Sequence, residues 1–233
     1  MKYVLKVEGI GKKIKKKQLI KGINFTAKQG EIIGLLGANG AGKTTIMKCI
    51  TGLTKVDTGV VEICGEALTI KQNNCLQNIG AIIETPAFYN YMTGWNNLLQ
   101  FMRMDKNSIS TERVKEVVSL VELENDIHEK VKNYSLGMKQ RLGLAQALIH
   151  NPKILILDEP MNGLDPKGVI GLRNLLQQLS RQGVTILISS HLLSEIEKII
   201  TRVLFIESGR LINDEKFRKN TDTLEAKFLK IVS

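Results

Sequence analysis

The sequence predicts an α/β fold with a mainly parallel sheet, and three observations carry that expectation. Short β-like apolar runs recur along the 233 residues. Helical patterns lie between several of them, and strands alternating with helices argue for parallel pairing. The run "EIIGLLGANGAGKTT" passes from a strand through a glycine-rich turn directly into a helix start. A composition of 43% apolar and 24% charged residues is ordinary for a globular chain able to bury a full core.

The elements follow in order. "YVLKV" and "INFTA" read as an antiparallel hairpin sheet beside the core, joined through the lysine-rich "KKIKKK" at residues 12–17. That stretch reads as a solvated hairpin loop, with contact to anionic lipid headgroups as the alternative. "EIIGLLG" is the first core strand and residues 43–52 the first helix; "VVEIC" and "IGAII" are further strands. Residues 86–150 carry helical periodicity without a good strand, for instance over 111–122 and 138–149, and are expected to form an inserted helical subdomain. "KILILD", a helix over 167–181, "VTILISS", a helix over 192–199 and "RVLFI" return to the core. Residues 1–233 thus form one domain. Residues 1–85 and 151–212 are its core with the β-subdomain, 86–150 the helical subdomain and 213–233 a polar tail.

Several function classes are disfavoured. No apolar run reaches the roughly 18 residues of a membrane span, and "MKYVLKVEGI" has no signal-peptide core. A soluble, cytosolic chain is expected. Cys49, Cys64 and Cys75 are odd in number, form no CxxC pair and have no histidine beside them, which favours reduced thiols over zinc or disulfides. A net charge of +10 calls for an anionic partner. Nucleic acid fits poorly, since aromatics make up 5% of the chain and none interleaves the basic run as a stacking platform.

The chemistry gathers at strand ends. Gly37, Ala38, Asn39, Gly40, Ala41, Gly42, Lys43 and Thr44, followed by Thr45, match the Walker A pattern. Backbone N–H groups of such a loop wrap a phosphate, the lysine reaches the β/γ oxygens, and the hydroxyl of Thr44 ligates Mg²⁺. "KILILDEP" is an apolar strand ending in Asp158, placed for Mg²⁺, and Glu159, placed to take a proton from an attacking water. His191 emerges after "VTILISS", where a γ-phosphate contact is expected at the carboxyl end of a neighbouring strand. His128 and His150 have no comparable setting.

"NYSLGMKQRLGLA" opens another helix at Ser135 and Gly137, with Lys139 and Arg141 near its start. A helix N-terminus is an anion site. With one phosphate site already furnished, this second one makes sense as the cover for a nucleotide bound by another copy, in head-to-tail symmetry. An ordinary helix capped by Ser135 remains the alternative on these residues alone.

In the order "GANGAGKTT", "YSLGMKQR", "ILILDEP", "MNGLDP" and "SSH", the sequence resembles the nucleotide-binding subunits of ABC transporters over nearly its whole length. The resemblance implies a P-loop NTPase core of RecA type, ATP and Mg²⁺ as cofactors, and a head-to-tail ATPase dimer. Ser135, Gly137 and Gln140 would then face the partner's nucleotide. It also implies separate integral-membrane permease subunits and a peripheral location on the inner face of the cell membrane. Four residues depart from the family pattern, at three places. Ile14 stands at the aromatic position that stacks on adenine. Leu136 and Met138 replace glycine and glutamine. Glu84 replaces the glutamine that contacts Mg²⁺ and the catalytic water. With "GAIIETP" around it, Glu84 is similar to subunits of bacitracin-export and lantibiotic-immunity transporters, which implies export of a peptide antibiotic. Exporters of drugs, lipids or ions, and an ATP-binding regulatory module, are the alternatives. Repair and translation ATPases of the superfamily are disfavoured, because this chain has neither a long coiled coil between motifs nor a second cassette.

Overall fold

The computed structural model describes residues 3–69, 73–104, 109–217 and 223–232. An antiparallel sheet in the order β2-β1-β4-β5 is built from β1 (Tyr3–Ile14), β2 (Lys17–Lys28), β4 (Thr58–Ile63) and β5 (Glu66–Ala67). A six-stranded sheet runs β10-β9-β3-β8-β7-β6. Its strands are β3 (Ile32–Leu36), β6 (Ile79–Ile82), β7 (Ile154–Leu157), β8 (Thr185–Ser189), β9 (Arg202–Glu207) and β10 (Arg210–Lys216). All its pairs are parallel except β9 with β10. The α/β expectation is borne out.

Strands β3, β7 and β8 are buried along their whole length, as parallel strands covered on both faces must be. Their side chains divide between two cores by the period of two. Ile32, Leu36, Leu155, Leu157, Ile186 and Ile188 face one core, shared with α5 (Pro166–Arg181) and the helical lobe. Ile33, Leu35, Ile154, Ile156 and Leu187 face the other, shared with α1 (Lys43–Ile50) and the antiparallel sheet. Each such side chain contributes about 1.5–3 kcal/mol by leaving water.

The helical lobe contains α2 (Gly94–Met104), α3 (Thr111–Leu120) and α4 (Leu136–Leu148). Arg113 closes the C-terminus of α4 by donating to Leu148 O at 2.7 Å and Ile149 O at 3.2 Å, which satisfies carbonyls the helix leaves free. Arg141 donates to Val121 O at 2.9 Å and to the Glu122 carboxylate at 2.6 Å. Its charge therefore ties α4 to the end of α3, rather than serving the helix start as the sequence suggests. The Tyr134 hydroxyl donates to Asp126 O at 2.8 Å, and burial pushes its phenol up to about 12. Gly94 permits this approach, since a Cβ there would collide with the Tyr134 hydroxyl.

Two expectations are corrected. "KKIKKK" is not a six-residue loop. Lys12, Lys13 and Ile14 complete β1, Lys17 begins β2, and Lys15 and Lys16 alone make the turn, with Lys15 at φ 54°. Asp57 makes this possible by accepting from Lys12 Nζ at 2.9 Å and from Lys13 N–H at 2.6 Å. Nor are residues 213–216 a tail: they continue β10 against β9, held where Arg202 grips both oxygens of Asp214 at 2.6 Å. Further on, α7 (Leu224–Val232) docks through buried Leu224 and a Lys227–Glu215 ion pair at 2.8 Å. The remainder of the expected tail, residues 218–222 and 233, lies outside the described residues.

Candidate ATP site at the strand ends

Strand order brings the motifs together. β3, β8 and β7 are consecutive in the sheet, so the loops that follow them emerge side by side at one edge. The first carries Gly37 to Gly42 into α1. A Cβ at Gly37 would collide with Ile206 O, so only glycine lets the loop pass β9. Gly42, the residue before α1, is left-handed at φ 110° and offers no side-chain cap. The first-turn N–H groups of α1 therefore face the loop, the arrangement that accepts an anion. Lys43 Nζ reaches back across the same loop to Gly37 O at 2.8 Å and Ala38 O at 3.3 Å.

Asp158 follows β7 and is 7% exposed. The Thr44 hydroxyl donates to its Oδ2 at 2.7 Å and the Ser189 hydroxyl to its Oδ1 at 2.6 Å. Ser189 also accepts the N–H of Glu159 at 2.9 Å, so one hydroxyl orders both carboxylate residues. Glu159 is left-handed at φ 51°. Its Oε2 accepts the His191 N–H at 3.1 Å and lies 2.9 Å from His191 Nδ1. A carboxylate only accepts, so Nδ1 carries the ring proton in this pair and Nε2 is left to meet another group.

The donor set is one of oxygens, with two hydroxyls converging on a single carboxylate. Among the described residues, no group of three or more His, Cys, Asp or Glu could form an all-protein metal cage. That suits Mg²⁺, which keeps waters and takes one or two protein oxygens alongside phosphate oxygens. The cysteines offer no rival: burial pushes the Cys49 thiol up to about 11 and raises that of Cys75.

Residues 20–162 match the family described as ABC transporter. The chain belongs to that family. It is 41% identical over 222 residues to the bacitracin transport ATP-binding protein BcrA of Bacillus licheniformis, covering 93% of this chain and 71% of that one. It is 37% identical over 225 residues to the lantibiotic transport ATP-binding protein SrtF of Streptococcus pyogenes, covering 97% and 96%. Among solved structures, it resembles the ATP-binding cassette MJ0796 in a dimeric post-hydrolysis state bound to ADP and Pi. The TM-score is 0.81 at 25% identity, over 92% of this chain and 99% of that one. This is an ATP-binding subunit of an ABC transporter.

In this ABC subunit Ser135, Gly137 and Gln140 line a wall that this cluster does not share. Ser135 caps α4, accepting the Met138 N–H at 3.2 Å, so the capping geometry is met. Ser135, Gly137 and Gln140 line a cavity of about 340 Å³ with Leu164, Lys167 and Asn174, and none of its wall comes from the Gly37–Thr45 loop. Leu136 is 46% exposed and lies over Gly163, where a Cβ would collide with it. Among the described residues, Gln140 Oε1 and Asn162 Oδ1 are buried acceptors without a donor. Ile14 is 52% exposed at the hairpin tip. Glu84, at φ 63°, is bonded to Lys48 at 2.6 Å rather than to the Thr44–Asp158 pair.

Two residues in or beside this cluster escaped the sequence reading. Ser189 carried a signal, being a hydroxyl after the apolar run Ile186–Ile188 that must find a partner when buried. Lys48 carried none, because its partner is 36 residues away.

Proposed function

We propose that this subunit hydrolyses ATP at a site completed by a second cassette, and that the cycle drives export of a membrane-active peptide antibiotic through separate permease subunits. The observation that carries the hydrolytic reading is the linked set Thr44–Asp158–Ser189–Glu159–His191 beside the glycine-rich loop.

The geometry supports the following roles. N–H groups of residues 38–45 cradle the phosphates, and Lys43 turns from the loop carbonyls to the β/γ oxygens. Thr44 and Asp158 hold Mg²⁺, with Glu84 as a further oxygen donor; the ion supplies neutralisation of phosphate charge. Glu159 orients the attacking water and accepts its proton, while the backbone N–H and ring of His191 fix the carboxylate. His191 Nε2 then meets the γ-phosphate. Ser135, Gly137 and Gln140 stand away from this cluster, which supports their acting on the nucleotide of a second cassette. The dimeric neighbour bound to ADP and Pi supports the same arrangement.

The export reading is supported by the names of BcrA and SrtF together with Glu84. Among the described residues no helix is long and apolar enough to cross a membrane, so transport calls for permease subunits with this chain peripheral to them. Exposed Leu53, Tyr89 and Tyr91, on either side of Glu84 in sequence, offer apolar contacts for them. Nucleic acid has no role in this reading.

Phosphate release by purified protein tests the enzyme: a nucleotide-bound protein with no turnover would make it a regulatory module. Deleting the chain's gene and challenging cells with bacitracin or a lantibiotic tests the cargo. Sensitisation to these peptides is expected, and unchanged sensitivity would refute peptide export.

A further inference from the structure

The Lys48–Glu84 ion pair lies one helical turn along α1 from the Thr44–Asp158 bond. Lys48 follows Thr44 by four residues on α1, so their side chains stand on one helix face, roughly 6 Å apart at Cβ. β6 and β7 are parallel neighbours, with Ile82 opposite Leu157 and the Asp158 N–H donating to Ile82 O at 2.8 Å. Glu84 and Asp158 therefore leave adjacent strand ends. Thr44 bonds the carboxylate beyond β7, and one turn later Lys48 bonds the carboxylate beyond β6, at 2.6 Å.

We propose that Lys48 is a positioning residue that holds the Glu84 carboxylate off the metal site, and that this pair must open before Glu84 can ligate Mg²⁺. The proposal rests on the ATP site described above. An ammonium and a divalent cation compete for one carboxylate, and a hard cation takes a carboxylate best when no ammonium engages it. The pair is suited to opening. Its side chains are 33% and 66% exposed, and exposed ion pairs are weak enough to exchange readily. A glutamine at residue 84 would carry no charge for Lys48 to hold, so the device depends on this chain's carboxylate.

The test is equilibrium binding of a fluorescent ATP analogue titrated with Mg²⁺, in a Glu159→Gln background that retains nucleotide. Lys48→Met should lower the half-saturating Mg²⁺ about two- to fivefold, the range set by a partly exposed ion pair. Lys48→Arg should stay within about twofold of the parent, because it keeps the pair. With Glu84→Gln also present, Lys48→Met should change nothing. An equal effect of Lys48→Met with and without Glu84→Gln would mean that its charge acts on the site directly, and no effect in either would mean the pair is idle. Both results overturn the proposal. Thr44→Ala distinguishes the two layers: if it abolishes the Mg²⁺ response while Lys48→Met is silent, the site stands and the latch falls. If Thr44→Ala leaves the response intact, the metal site falls and the latch with it. Lys48→Gln replaces Lys48→Met should the latter fail to fold.

Discussion

The Thr44 hydroxyl donates to Asp158 Oδ2 at 2.7 Å across 114 residues of sequence, and this bond joins the start of α1 to the end of β7. It sets the phosphate loop and the carboxylate pair in one frame. Ser189 closes that frame from the other side at 2.6 Å.

Ser189→Ala removes the donor to Asp158 and the acceptor for the Glu159 N–H together. Leaving these buried groups unpaired should cost about 1–3 kcal/mol, read as a lowered urea midpoint. ATP turnover should fall on the order of tenfold because both carboxylates lose their orientation. Unchanged turnover would show that Ser189 has no part in ordering them.

Glu159→Gln keeps the shape beside His191 but cannot take a proton. Nucleotide binding should persist while hydrolysis falls by roughly 10²- to 10⁴-fold. Steady-state phosphate release is the measurement, and rates near the parent protein's would remove Glu159 from the reaction.

Ser135→Arg places a bulky cation at the α4 start. ATP binding to the single chain should survive, and dimer-dependent hydrolysis should be lost. Loss of the cap alone should cost about 1 kcal/mol, which thermal melting separates from the catalytic effect. In the parent protein without permease, hydrolysis per molecule should drop on dilution below self-association. A rate independent of concentration contradicts the shared site.

Tyr134 makes stability sensitive to alkali. Its folded phenol is raised to about 12 by burial first, then by Asp126 and Glu129, against about 10 when unfolded. The neutral phenol's contribution is fully present below pH 10 and is lost as pH rises through 12. Denaturation midpoints should fall across that window, and Tyr134→Phe should flatten the fall. An identical alkaline profile in the variant would count against this.

Leu187→Ala opens a cavity in the middle of β8, on the face shared with α1. A cost of about 2–5 kcal/mol is expected, measured by denaturant unfolding. A cost below about 1 kcal/mol would mean that the sheet closes over the gap.

The sequence by itself determined the elements whose signal is local: the apolar runs of β3, β7 and β8, the glycine loop opening α1, and the carboxylates after β7. Each depends on contiguous residues, because burial on both faces and backbone reach are written into the run itself. Lysines hid the length of the β1–β2 hairpin, since Asp57, from a distant position, pairs with the Lys12 ammonium and accepts the Lys13 backbone N–H. The polar alternation of β10 hid an edge strand that exists because β9 pairs with it. Only tertiary structure decided that Ser189 bridges Asp158 and Glu159, that Glu84 meets Lys48, and that Arg141 turns to Glu122. Strand order and helix packing create those pairs, and no short-range pattern along the chain specifies which distant groups will share a strand end.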